Sequence, residues 1–190
     1  MKRSALFIIL TFLSIPQCEK NRGPDPEDPV PVRDAIFLAK LIELGVDANG
    51  DGSISYAEAE KVLTLNMANA GITSLAGIEA FVQLETLNCP SNNLTRMNLS
   101  NNKELKMLRC CFNLLIKLDV SSNTSLEHLD CSVNHLSSLD LRENKQLKEL
   151  LLYRMPTLYE VCVWEIPFTL SNGINLEESP NAFFTTECTN

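Results

Sequence analysis

The chain has 190 residues, which is enough for one modest domain with short appendages. Hydrophobic residues make up 45% of it, enough for a core, and the formal net charge is −8 at pH 7. Because Lys and Arg form no basic stripe, we expect no nucleic-acid partner.

The first residues are typical of an export signal. Lys2 and Arg3 form a short cationic start, and residues 5–15 are apolar over a length too short to span a bilayer. Cys18 follows soon after, and residues 23–32 are rich in proline and expected to be extended. This order resembles that of bacterial lipoproteins, in which a leader is cleaved before a cysteine that receives lipid.

The resemblance implies three N-terminal parts. Residues 1–17 would be the signal peptide, Cys18 the lipidated residue, and residues 18–33 a lipid-anchored, proline-rich linker. The protein would then be exported as an outer-membrane lipoprotein, at the cell surface or in the periplasm, and would touch the membrane only through its lipid. Ordinary secretion with cleavage near the same place is the alternative.

A helix is expected at 35–44, after the linker. Apolar residues dominate that stretch, and Asp34 is placed to cap its N-terminus. A second helix is expected to begin after Ser55, because Glu58 stands three residues later, as in a capping box. We assign residues 34–65 to a helical cap.

Between these helices, residues 47–58 fit the 12-residue EF-hand calcium loop. Gly52 stands at the sixth position, where the chain turns sharply, and Ile54 is the usual apolar eighth residue. The predicted calcium ligands, in loop order, are Asp47, Asn49, Asp51, the carbonyl of Ser53, Ser55 and Glu58. Three carboxylates and the expected extracellular address favour a weak site, with Kd on the order of 10⁻⁴–10⁻³ M, and because no second loop of this type occurs we expect a structural role. The alternative is an Asp- and Asn-rich turn that binds no metal.

A 21-residue unit then repeats four times. The positions that recur at this interval form vertical columns of one residue type. The columns are Leu84, Leu105, Leu126, Leu147; Leu87, Leu108, Leu129, Leu150; Cys89, Cys110, Cys131; Asn92, Asn113, Asn134; and Asn102, Asn123, Asn144. One further coil, offset by 22 residues, is expected before Leu84.

Each unit contains two extended halves separated by turns at asparagine. Residues 105–115 match the pattern L-x-x-L-x-L-x-x-N-x-L, with Cys110 in place of the third leucine. This pattern resembles the leucine-rich repeat family, and an acidic helical cap ahead of it resembles internalin-type bacterial surface proteins. The resemblance implies an α/β leucine-rich-repeat solenoid, with parallel strands stacked at a 21-residue period over residues 66–164. Residues 165–190 would form a C-terminal cap.

The cysteine pattern does not indicate a disulfide framework. Cys89, Cys110 and Cys131 occupy an inward column and should behave as small buried hydrophobes, whereas Cys111 should point outward. Cys162 and Cys188 could pair, but free thiols are the favoured expectation.

Alternation along the strands predicts which side chains face outward on the concave sheet, the surface that leucine-rich repeats commonly use for recognition. The predicted partner-binding residues are Met107, Arg109, His128, Asp130, Glu149, Leu151 and Tyr153. Their ligand would be a protein, with a glycan as the alternative. A solvated face without a specific partner is the competing interpretation.

Catalysis is not expected. His128, Asp130 and Ser132 share one strand face, but same-face neighbours on a strand are roughly 6.5–7 Å apart, too far for a hydrogen-bonded triad. The sequence therefore predicts a non-enzymatic, calcium-stabilised binding module. Two alternatives are a spacer that binds only calcium and a sensor that calcium gates.

Overall fold

The computed structural model of the chain describes residues 23–171 and 173–188. The predicted signal peptide and the predicted lipidation residue, Cys18, lie outside the described residues. Within the described ranges, no helix is long and apolar enough to cross a membrane.

Two helices build the N-terminal cap. Helix α1 spans Ala35–Glu43 and begins where predicted, because the carboxylate of Asp34 accepts hydrogen bonds from the first free amides of the helix. Helix α2 spans Tyr56–Ala59 and starts with the predicted capping box between Ser55 and Glu58. It is a single turn, so the second helix is much shorter than the first.

The strands in the described part of the chain are short, and nearly all have three residues. In chain order, β1 to β9 are Thr64–Asn66, Thr86–Asn88, Met107–Arg109, His128–Asp130, Ser138–Asp140, Glu149–Leu151, Glu160–Cys162, Ile174–Asn175 and Phe183–Thr185. They form a six-stranded sheet in the order β1-β2-β3-β4-β6-β8 and a three-stranded sheet in the order β5-β7-β9. Every pairing between them is parallel.

The register gives the chain its solenoid form. Leu65 pairs with Leu87, which is the predicted offset of 22, and Leu87, Leu108, Leu129 and Leu150 then pair in succession at intervals of 21. Each of these leucines is the buried middle residue of its strand. Stacking the repeats therefore joins their apolar residues into one continuous core.

Two asparagine ladders close the turns of the coils. The amide nitrogen of Asn113 donates to the carbonyls of Cys89 and Cys110, both at 3.0 Å, and its oxygen accepts from Leu94 N at 3.0 Å. The amide nitrogen of Asn123 donates to two carbonyls of the preceding coil, at 3.0 and 2.8 Å. The asparagines satisfy backbone groups that a bend would otherwise strand.

A column of left-handed residues lies just before the first asparagine ladder. Ser91, Phe112, Val133 and Arg154 have φ values of 56°, 54°, 51° and 54°. These side chains share no chemistry, and left-handed backbone is unfavourable for a β-branched residue such as Val133. The stacking of the coils therefore imposes this turn on whichever residue occupies the position.

The segment predicted as a C-terminal cap forms one more coil. Strand β8 extends the six-stranded sheet, with Ile174 paired to Leu150, and β9 extends the second sheet. Trp164, Phe168 and Phe184 pack together at ring-centroid distances of 4.9 and 5.2 Å. The segment therefore continues the solenoid beyond the last repeat.

The expectation of free thiols is wrong for the last two cysteines. Cys162 ends β7, Cys188 follows β9, and the two form a disulfide with their Cα atoms 5.8 Å apart. Pairing of β7 with β9 brings the two residues together, although they are 26 positions apart in the chain. Cys89, Cys110 and Cys131 remain free and buried in a vertical column, as predicted.

Candidate functional site

The acidic loop has the backbone of a tight turn around one carboxylate. Gly52, at the sixth loop position, has a φ of 83°, a conformation that favours glycine. Asp47 accepts hydrogen bonds from the amides of Gly50 at 2.8 Å, Gly52 at 2.9 Å and Asp51 at 3.2 Å. The first predicted ligand thus organises the turn itself.

The middle of the loop is held by short polar contacts. One oxygen of Asp51 accepts from the amide of Ser53 at 2.8 Å and from its hydroxyl at 2.7 Å, and Asn49 donates to the other oxygen at 2.9 Å. The Ser53 hydroxyl is the main reason why the pKa of Asp51 is lowered, since it stabilises the charged carboxylate.

Glu58 joins the two ends of the loop and is only 8% exposed. One carboxylate oxygen accepts from the amides of Ala48 at 2.8 Å and Asn49 at 3.3 Å. The other accepts from the amide and the hydroxyl of Ser55, both at 2.9 Å. The Ser55 amide is the chief cause of the lowered pKa of Glu58, against a smaller opposing effect of burial. Glu58 is therefore a stably ionised carboxylate.

The oxygen atoms of the loop are of the kinds that bind a hard cation. Carboxylate, amide, hydroxyl and carbonyl oxygens at these positions are the ligands that calcium takes in a loop of this length. Among the described residues, however, no three Asp, Glu, His or Cys side chains come together as a metal-binding group. The carboxylates of Asp47, Asp51 and Glu58 are engaged by N–H and O–H donors of the loop instead. An ion that binds these carboxylates would have to displace some of those hydrogen bonds.

Six of the seven predicted recognition residues lie in two neighbouring columns on the six-stranded sheet. The register places Met107, His128 and Glu149 side by side in one column, and Arg109, Asp130 and Leu151 in the next. Their side chains are exposed or half-buried, whereas the residue between them in each strand is buried. The sheet thus brings these six side chains onto one face.

Several contacts order this face. His128 Nδ1 lies 3.3 Å from a carboxylate oxygen of Glu149. Tyr153, which follows β6, packs edge-on against Phe112 with ring centroids 6.3 Å apart. Phe112 is 44% exposed and was not among the predicted residues, because its outward direction depends on the left-handed turn. The apolar part of the face therefore extends beyond the strands.

Ser132 does not lie on this face, although alternation places it outward. It is fully buried, and its hydroxyl accepts a hydrogen bond from the amide of Tyr153 at 3.3 Å. The chain has begun its bend at this position, so the next coil covers the side chain. His128, Asp130 and Ser132 consequently present no shared surface on which a triad could act.

A line of alternating charge runs along the solenoid axis beside the sheet. Glu85 pairs with Lys106 at 2.9 Å, and Glu127 pairs with Lys148 at 2.7 Å. The four residues recur every 21 positions, so the period alone could have revealed them. Such exposed pairs contribute little stability, but their opposite signs favour the correct register.

The thiols of the cysteine column, and that of the neighbouring Cys111, are poor nucleophiles. Burial raises the pKa of Cys89 to about 12 and holds the pKa of Cys110 well above its usual range. Burial, followed by the nearby Asp130 carboxylate, raises the pKa of half-buried Cys111 to about 12. A thiolate is the reactive form, so none of these residues is set up for catalysis.

The geometry defines the class of fold: a parallel-strand solenoid of about six turns, as in leucine-rich-repeat proteins. Solved structures agree. The chain is similar to the functional domain of InlJ from Listeria monocytogenes, which includes a cysteine ladder, with 23% identity and a TM-score of 0.50. It is also similar to the internalin InlF from the same species, with 18% identity and a TM-score of 0.57.

These likenesses extend over most of this chain but not of its neighbours. They cover 79% and 73% of this chain, and 45% and 54% of the InlJ and InlF chains. The chain thus spans about half the length of the internalin structures it matches. No protein-family model matches the sequence, and no curated protein matches it.

Proposed function

We propose that the protein is a non-enzymatic binding module that recognises a protein ligand on the outer face of its six-stranded sheet. The observation that carries the proposal is the register of β3, β4 and β6, which gathers an arginine, a methionine, a leucine and two acidic residues onto one surface. A parallel sheet fixes the backbone of these residues, so association requires no ordering of the backbone, and the entropy cost is that of the immobilised side chains, about 0.5–1.5 kcal/mol each. Similarity to internalin folds is consistent with this use of the face.

A protein surface suits this face better than a small molecule does. The sheet is lined by mixed charge with Met107 and Leu151, and Tyr153 with Phe112 adds an aromatic pair at its edge. Met, Arg and aromatic side chains are enriched at the centres of protein interfaces. Polar side chains such as Asn66 and Asn88, joined at 3.0 Å, could instead donate hydrogen bonds to a glycan, which is the second candidate ligand.

We further propose that calcium stabilises the cap and that the protein is an exported lipoprotein anchored through Cys18. The oxygen-rich loop and its left-handed turn at Gly52 support the calcium site. The cationic start, apolar stretch and cysteine of the N-terminal sequence support the anchor. The binding face would then be displayed at the cell surface or in the periplasm.

The test of the binding face uses paired surface variants of the full chain. Arrays of extracellular proteins and of glycans are probed with the unsubstituted chain and with Arg109→Glu combined with Tyr153→Ala. We expect each specific signal to fall at least tenfold in this variant, because charge reversal and loss of an aromatic anchor each weaken an interface by more than about 1 kcal/mol.

The matched control is Arg96→Glu combined with Tyr159→Ala, which changes the same residue types at exposed positions outside the six-stranded sheet. It should retain every signal. Signals that survive the first variant would contradict the proposed face, and hits confined to glycans would replace a protein by a sugar as the ligand.

A further inference from the structure

The last coil of the solenoid is paired on one side only. The amides of Leu152 and Arg154, in the coil before it, donate to the carbonyls of Asn175 and Glu177, both at 2.8 Å. Strand β8 thereby continues the six-stranded sheet as its final strand. In the described part of the chain, no strand pairs with the other edge of β8, so this outer edge is open.

Two amides on the open edge have no acceptor. The amides of Leu176 and Glu178 occupy the same columns as those of Cys131 and Val133, which donate to the following coil at 3.2 and 3.1 Å. Neither Leu176 nor Glu178 donates its amide hydrogen to any atom that the structure describes. A strand edge with unsatisfied amides is a template for one more strand.

The apolar core is also incompletely covered at this end. Leu150 and Leu152 are fully buried, whereas Ile174 and Leu176, in the same two columns of the last coil, are only partly buried. In a solenoid each coil is buried by its neighbours on both sides. One further layer of apolar side chains would therefore complete the core, and burial of apolar surface would favour its binding.

The last coil is acidic. Residues 155–190 contain five glutamates and neither lysine nor arginine. Glu177 is exposed beside the open edge, and Glu178 lies 3.1 Å from Arg154, the last cationic residue of the sequence. A second copy of this chain would bring the same negative charge to the same edge, so repulsion opposes the pairing of two copies. A positively charged strand is favoured instead.

We propose that the outer edge of β8 binds an extended, positively charged segment of another protein, which adds to the six-stranded sheet as a further strand. The amides of Leu176 and Glu178 donate to its main chain and set its register. Because side chains alternate along a strand, every second residue of the segment is apolar and covers Ile174 and Leu176, and the residues between are basic and lie beside Glu177. The ligand class is a peptide in which apolar and basic residues alternate. This site involves none of the residues of the proposed binding face and requires no metal.

The test uses the full chain, purified in detergent, and a short synthetic peptide with blocked ends in which valine and lysine alternate. Amide hydrogen exchange, measured by nuclear magnetic resonance, follows Leu176 and Glu178. Because both amides lack an acceptor in the free protein, we expect the peptide, at about ten times its Kd, to slow their exchange about tenfold. The exposed amide of Lys145, which also donates to no described atom, is the internal control and should not change.

Two matched peptides separate the contribution of charge from that of the backbone. The first has glutamate in place of lysine, and we expect it to slow neither amide. The second keeps valine and lysine but carries a methyl group on every backbone nitrogen, so it retains the charge and cannot pair as a strand. We expect it to bind at least about tenfold more weakly than the unmodified peptide, because the main-chain hydrogen bonds are lost.

A charge reversal on the protein tests the acidic edge. Glu177→Lys places a cation beside the edge, and Glu104→Lys makes the same change at an exposed position in an earlier coil. In titration calorimetry, the first variant should bind the valine–lysine peptide about fivefold more weakly, and the second should bind it as the unsubstituted chain does. If Glu177→Lys does not fold, the comparison of peptides on the unsubstituted chain decides alone.

Four results would overturn the proposal. The valine–lysine peptide would fail to bind, or it would bind without slowing exchange at Leu176 and Glu178, which would place it elsewhere. Equal affinity for the methylated peptide would show charge attraction without strand pairing. Slow exchange of both amides that depends on protein concentration and needs no peptide would show that a second copy of the chain occupies the edge.

Discussion

Buried asparagines are the residues on which the coils depend, and the two ladders are not equivalent. Both the side-chain oxygen and the side-chain nitrogen of Asn113 form hydrogen bonds, and these bonds reach two successive coils. Asn123 uses only its nitrogen, and its buried oxygen has no hydrogen-bond partner, as is also true of Asn102 and Asn144. A buried oxygen without a partner costs free energy, so the second ladder contributes less per residue.

This difference predicts unequal effects of removing the amides. Asn113→Ala should lower the free energy of unfolding by about 3 kcal/mol, and Asn123→Ala by about 2 kcal/mol, because the second change also removes an unsatisfied oxygen. Urea unfolding followed by circular dichroism measures both values. Asn93→Ala, at an exposed position, should stay within about 0.5 kcal/mol. Equal losses at Asn113 and Asn123 would show that the ladders are equivalent.

At the scale of elements, one carboxylate fastens the helical cap to the solenoid. One oxygen of Asp34 caps α1 by accepting from Ile36 N and Phe37 N, at 2.9 and 3.0 Å. The other accepts from the amide and hydroxyl of Thr73 at 2.8 and 2.7 Å, and from Ser74 N at 3.0 Å. Partial burial raises the pKa of Asp34, but the Thr73 hydroxyl and the surrounding amides together lower it to about 2.

The lowered pKa makes the docking of the cap dependent on pH. Since the folded pKa lies below the ordinary value of 3.8, the stabilisation is fully present above pH 3.8 and is lost as pH falls through about 2. Asp34→Asn should therefore destabilise the protein by about 1–2 kcal/mol near neutral pH, and the difference from the unsubstituted chain should shrink at about pH 2.5.

The check is urea unfolding of both chains at the two pH values. Glu104→Gln, at an exposed position, is the control that removes one carboxylate without touching the cap. A destabilisation by Asp34→Asn that stays constant with pH would contradict the role of its charge.

In the molecule as a whole, the stabilising contacts between coils follow one another along the solenoid axis. Each coil contacts only its neighbours, so a cap that closes the first coil protects the coils beyond it. The last coil closes the opposite end through β8, β9 and the disulfide between Cys162 and Cys188. A change in stability at either end should therefore change the free energy of unfolding of the whole array.

Calcium should consequently raise the melting temperature of the entire array. At a concentration about ten times its Kd, an ion that binds only the folded state adds about 1.4 kcal/mol, or about 3–6 °C for a domain of this size. Differential scanning calorimetry with calcium or a chelator measures the shift.

The variant Asp47→Asn with Glu58→Gln removes two predicted ligands and should abolish the shift. Glu104→Gln with Glu143→Gln removes two exposed carboxylates elsewhere and should retain it. An equal rise in all three chains would mean that calcium acts without the loop.

The sequence by itself determined the features that repeat or that depend on near neighbours. The 21-residue period determined the leucine, cysteine and asparagine columns, because residues one coil apart must occupy equivalent positions in a stacked solenoid. Local chemistry determined the caps at Asp34 and Ser55, whose partners lie within three residues. The face that holds Arg109 and His128 followed from strand alternation.

Only the tertiary structure decided the contacts between segments that do not repeat. The contact of Val30 with Ile54, the extra coil formed by β8 and β9, and the disulfide join residues far apart in the chain that no period relates. Stacking also buried Ser132 and imposed the left-handed turn at Val133, against the preference of the residue. Periodicity specifies equivalence between coils, but the shape of each bend follows from packing against the coils on both sides.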